Sequence, residues 1–156
     1  MKMSATQKDS HFWLSRAWYM SEEIENLEKR REEIICSMSG IGKYDSEHIP
    51  TQNGENATET KNLEYSEICR QIEKKQNDIS KANYDTLKVI EHLDSAMFRG
   101  MLIAKYIRRL SWSAVGKIYN YEKTQMYEKY RLEALDAVYP YIPKEEIIRG
   151  REEELD

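Results

Sequence analysis

Residues 123–131 read KTQMYEKYR and carry hydrogen-bonding side chains at helical spacing. Gln125 offers a paired donor and acceptor that fits an adenine edge. Lys123 can donate to guanine, and Glu128 can accept from a cytosine amine. Thr124 and Tyr127 occupy neighbouring outward positions. Lys129 and Arg131, with Arg108, Arg109 and Lys117 upstream, are charges suited to phosphate, which positions a module without specifying sequence. The Ser111 hydroxyl, and the helix N-terminus it opens, suit the same group. The plainer reading of any one of these lysines is a solvated helix face.

Other chemistry finds little to work with. The three histidines (His11, His48, His92) are scattered, and the two cysteines (Cys36, Cys69) lack metal-ligand spacing. No glycine-rich phosphate loop occurs, and the carboxylates lie along helix faces without converging. No enzyme activity, metal or cofactor is expected. A third of the chain is charged, and no apolar run reaches membrane-spanning length. The first residues lack a signal-peptide core, so a soluble, cytoplasmic location is expected.

Charge is unevenly placed. The chain carries a net −4, yet residues 99–131 hold eight basic side chains against two acidic ones, Glu122 and Glu128. That block is net +6, between two blocks of −5 each. A basic block between acidic flanks is a footprint of anion binding.

The elements that must position these residues are helical throughout. Apolar residues recur from Trp13 through Ala17, Met20, Ile24, Leu27 and Ile34 to Met38, spaced alternately four and three, with Arg31 in the gap. A second seam runs Tyr65, Ile68, Ile72, Lys75, Ile79, Ala82, Thr86, Val89, Leu93. Heptad seams predict two long helices, about 9–38 and 62–93, the first capped by Asp9 or Ser10. A flexible loop over about 39–60 would join them as an antiparallel, coiled-coil hairpin, with Lys75 reaching Glu25 or Glu28. The hairpin also offers a homodimer surface.

Three shorter helices complete the chain's main pattern. The first, 96–109, would turn Met97, Leu102, Ile103, Tyr106 and Ile107 inward. Ser111 caps the second, 112–119, with Trp112, Val115 and Ile118 inward. The third, about 122–138, would bury Met126, Tyr130, Ala134 or Leu135, and Val138. Gly116 interrupts the second helix and Asn120 ends it. In a helix-turn-helix, two helices cross so closely that a side chain larger than a methyl would part them, and the turn needs left-handed backbone angles. Gly suits the first requirement, and Asn is the commonest non-Gly residue for the second.

Residues 102–135, LIAKYIRRLSWSAVGKIYNYEKTQMYEKYRLEAL, resemble the region-4 helix-turn-helix of sigma-70-type factors. Leu110, Ser111, Trp112 and Val115 match its Leu-Ser-aromatic stretch. Gly116 stands in the small-residue slot, Ile118 or Tyr119 in the apolar slot, Asn120 in the turn-glycine slot and Met126 in the valine slot. Tyr127 and Glu128 depart from it. In layout the chain is similar to phage and prophage late-gene activators of the RinA and ArpU type.

The seams, the resemblance and the acidic C-terminal stretch together predict an all-α protein in three parts: a helical hairpin over 1–94, a helix-turn-helix over 95–140 and an acidic tail over 141–156. The resemblance implies a sequence-specific transcriptional regulator in the bacterial host cytoplasm, binding double-stranded DNA through Ser111, Arg108, Arg109, Lys117, Lys123, Thr124, Gln125, Tyr127, Glu128, Lys129 and Arg131. RNA polymerase would be a further partner. The alternatives are a helical protein–protein interaction module and a phage DNA-packaging recognition protein.

Overall fold

The computed structural model describes residues 2–38 and 52–155, and these form an all-α protein with no strand among them. In chain order the elements are α1 (Ala5–Leu14), α2 (Arg16–Met38), α3 (Gln52–Ile90) and α4 (Ala96–Leu102), which runs into a π turn (Ile103–Ile107). Then come α5 (Trp112–Tyr119), α6 (Lys123–Gln125), a second π turn (Met126–Tyr130), α7 (Arg131–Val138), a 3-10 turn (Tyr139–Tyr141) and α8 (Lys144–Leu155). The chain divides into two compact units. One combines residues 1–17 with 81–156; the other is 18–80.

In the unit of residues 18–80, apolar residues from the middle of each seam meet. Ile24 and Ile34 of α2 meet Ile68 and Ile72 of α3 in a buried cluster flanked by Leu27, Met38, Tyr65 and Ile79. Each fully buried Ile contributes about 1.5–3 kcal/mol. The two stretches run antiparallel: Arg30 pairs with Glu64 at 2.8 Å, and Glu23, earlier in α2, pairs with Lys75, later in α3. Lys75 thus reaches Glu23 rather than Glu25 or Glu28. Both pairs are solvent-exposed and set register more than stability.

Three expectations about the long helices need correction. Helix formation begins at Ala5, before Asp9, in a capping box. The Ser4 hydroxyl accepts from the Gln7 N–H at 3.2 Å, and the Gln7 side chain accepts from the Ser4 N–H at 2.8 Å. The first helix is also broken at Ser15, whose hydroxyl donates to the His11 carbonyl at 2.7 Å. A Ser side chain bonding back in this way competes with the backbone ladder. Of the loop expected over 39–60, residues 39–51 lie outside the described residues, and 52–60 are helical. No proline interrupts 52–60, and extending a nucleated helix costs little per residue, even across Gly54.

The other unit joins the two ends of the chain. Helix α1 lies against α7 and α8. Its Ser10 hydroxyl donates to the Leu135 carbonyl at 2.9 Å, Gln7 donates to Asp136 at 2.9 Å, and Trp13 donates to Glu146. Arg151 of α8 grips Asp9 through two donors. Arg16 fills the notch after α1, 3.7 Å over the Trp13 ring, donating to the Ala82 carbonyl and the Thr86 hydroxyl. Ile142 and Ile147 are buried, so the segment read as an acidic tail is part of this core. The residues read as a helix-turn-helix therefore share their unit with α1 and α8.

Candidate nucleic-acid interface

A small apolar cluster holds the three C-terminal helical segments together. Met101 and Ala104 of the first, Trp112 and Val115 of α5, and Met126 of the last are buried against one another. Met97, Phe98, Leu110, Tyr119, Tyr121 and Tyr130 flank them. The first segment ends where Arg109 takes left-handed angles (φ 58°), which lets the Leu110 N–H reach back to the Ala104 carbonyl at 3.0 Å. Ser111 then caps α5, accepting from the Ala114 N–H at 3.1 Å.

Gly116 is the close-contact point expected of it. A Cβ there would sit 2.7 Å from the Tyr121 carbonyl oxygen and 3.2 Å from Met126 Cγ. Asn120 adopts φ 60°, ψ 35°, the left-handed conformation expected of the turn. It closes a Schellman motif: the Tyr121 N–H bonds the Gly116 carbonyl at 2.9 Å, and the Asn120 N–H bonds that of Lys117 at 3.4 Å. A second glycine contact was not foreseen. A Cβ on Gly100 would collide with the Tyr119 hydroxyl at 2.0 Å, so the absent side chain makes room for that ring.

Tyr119, half-buried, takes the inward place expected of Ile118, which is 51% exposed. Residues 112, 115, 116 and 119 recur at helical spacing, and 118 falls outside that stripe. In the preceding segment Met101 and Ala104 are buried and Ile103 and Ile107 only half-buried. The π turn over Ile103–Ile107 inserts an extra residue per turn and shifts the inward face.

After the turn, Lys123, Thr124, Gln125, Tyr127, Glu128 and Lys129 are all exposed, while Met126 between them is fully buried. Ser111, Arg108, Arg109 and Lys117 are exposed as well. Arg131 is the exception: it is 6% exposed. Its guanidinium lies 3.7 Å over the Tyr127 ring, and its Nε donates to the Tyr127 carbonyl at 2.9 Å. The π turn over Met126–Tyr130 rotates the next helical turn and carries Arg131 inward, so it is no part of the exposed basic surface. Met126, Ala134, Leu135 and Val138 are buried and Tyr130 half-buried, as their spacing predicts.

The charge of Arg131 is also felt by His11, Lys105 and Tyr106. Buried Tyr106 and half-buried His11 of α1 share a hydrogen bond of 2.7 Å, with rings edge to face at 5.6 Å. Burial, followed by the positive charges of Arg131 and Lys105, pushes the His11 pKa below its ordinary value. Burial pushes the Tyr106 phenol up. Burial, then Arg131, pushes Lys105 down, and its ammonium sits 5.4 Å over the Trp112 ring. Tyr121 and Tyr130 pack at 4.7 Å, and their hydrogen bond raises the Tyr121 phenol.

Sequence reasoning missed these interactions and the cover that α1 provides. The Ser4–Gln7 capping pattern was the available signal for an earlier helix start. Among the described residues no group of His, Cys, Asp and Glu is placed to hold a metal ion, and no helix is long and apolar enough to cross a membrane. No family model, curated protein or solved structure matches this chain.

Proposed function

We propose that this protein is a sequence-specific DNA-binding transcriptional regulator of phage or prophage type, reading the major groove with the helix over residues 122–138. One observation carries the reading. Gly116 and Asn120 make a tight, left-handed turn between two closely crossing helices, and the helix after it exposes Lys123, Thr124, Gln125, Tyr127, Glu128 and Lys129. In such a motif the first turns of the second helix meet base edges. Lys123, Thr124, Gln125, Tyr127 and Glu128 would face bases. Lys129, Lys117, Arg108, Arg109 and Ser111 would hold phosphates. The net +6 of residues 99–131 supports the same assignment, in a chain whose net charge is −4.

The test is a mobility shift on the DNA upstream of the protein's own gene. Wild type is expected to bind, and Lys123→Ala combined with Lys129→Glu to lose at least tenfold. Four candidate phosphate cations predict a log–log salt slope of roughly −4. Equal binding by the double variant would sink the groove assignment.

A second reading, a helical protein-interaction module, is favoured by the exposure of Ile118 (51%) and Tyr127 (42%) beside the turn. A co-purifying protein partner, with no salt-sensitive DNA binding, would select it. Genomic occupancy at packaging sites rather than promoters would select a packaging role. In the 18–80 unit, exposed Ile35 and Leu63 offer apolar surface for a second copy or for RNA polymerase.

A further inference from the structure

Tyr127 is the residue whose surroundings the general reading leaves unexplained. It stands on the exposed side of the helix after the turn, 42% exposed, yet its ring is not loose. The Arg131 guanidinium covers one face at 3.7 Å, and the Arg131 Nε fixes the Tyr127 carbonyl at 2.9 Å. Arg131 itself is 6% exposed and emerges from a π turn, a helix irregularity often found at functional sites. A buried cation spent on holding an exposed aromatic is unusual, because arginine is rarely buried without a pairing task.

We infer that Tyr127 is a thymine reader, held in place by Arg131 as its positioning residue; this rests on the DNA-binding reading above. The chemistry narrows the target. In an intact duplex the bases are stacked, so an aromatic ring in the major groove meets base edges rather than base faces. Those edges carry donors, acceptors and one apolar feature, the C5-methyl of thymine. A ring with one face covered by Arg131 offers its rim and other face to that methyl. Pre-ordering the ring reduces the rotamer freedom lost on contact.

The experiment begins by selecting preferred duplexes from a random DNA library with the full-length protein. Each thymine of the preferred duplex is then replaced by deoxyuridine, which deletes only the methyl. At one position wild type should bind about fourfold more weakly, the factor expected for one methyl leaving an apolar contact. Tyr127→Ala should bind both duplexes equally. Tyr127→Phe should keep the fourfold ratio, since the hydroxyl is not used. Arg131→Lys, checked for folding by circular dichroism, should shrink the ratio while leaving the salt slope unchanged. That is an effect a loss of phosphate contact would not produce. A preferred duplex with no methyl-sensitive thymine, or a ratio unchanged in Tyr127→Ala, would overturn this inference alone. A library yielding no preferred duplex would overturn the DNA-binding reading and this inference with it.

Discussion

At the scale of single residues, the motif turns on two positions whose demands are opposite. Gly116 is there for lack of a side chain, and Asn120 for tolerance of left-handed angles. Gly116→Ala would gain about 1 kcal/mol of helix propensity. It would also press a methyl against the Tyr121 carbonyl, an overpacking cost of about 1–3 kcal/mol. A net loss of about 1 kcal/mol is expected by chemical denaturation, and a gain would contradict the close crossing. Asn120→Gly should be tolerated, whereas Asn120→Val should cost about 1–2 kcal/mol. His11 gives a pH signature. Its pKa is lowered in the folded state, so the unfolded chain binds more protons. The associated stability is complete above the unfolded value of 6.5 and is lost as pH falls from there towards the depressed folded value. Between pH 7.5 and pH 5.5 the denaturation midpoint should drop in wild type and drop less in His11→Gln.

Elements show which parts of the design are written locally. The heptad seams could be read because burial in a two-helix contact repeats at a fixed period, and Ile24, Ile34, Ile68 and Ile72 keep to it. Ser111 and Asn120 could be read because caps and left-handed turns depend on the residue's own chemistry. The π turns could not be read, since an inserted residue leaves no mark in a list of apolar positions. Arg131 was misplaced for that reason, and Ile103 and Ile107 are only half-buried. The burial of Arg131 was hidden further because charge suggests exposure, although Tyr127 and Arg131 stand at the i,i+4 spacing that lets side chains meet. Helix α8 illustrates the opposite limit. Its acidic sequence reads as a tail, as a short helix or without structure, yet it is a helix that buried Ile147 and the contact between Gly150 and Phe12 tie to α1. Ile147→Ala should therefore destabilise the unit by roughly 2–4 kcal/mol, a cost a free tail would not show.

For the molecule as a whole, the unit that holds the candidate interface is discontinuous in sequence. Residues 95–140 alone would lose the α1 cover over Leu135 and the His11 partner of Tyr106. We expect this fragment to melt without a cooperative transition, and a sharp two-state melt would show that the motif folds unaided. The distance between partners also bears on how the chain is made. Ser10 bonds a residue 125 positions later, and Asp9 one 142 positions later. Synthesis at about 5–20 residues per second puts roughly ten seconds between the emergence of α1 and that of its partners. During that interval α1 lacks the α7 and α8 surfaces against which it packs in the finished protein. The Ile24, Ile34, Ile68 and Ile72 cluster, which lies wholly within 18–80, emerges well before α7. The nascent chain therefore carries an incompletely covered α1 until α7 and α8 emerge, a window in which a chaperone or a neighbouring nascent copy can capture it.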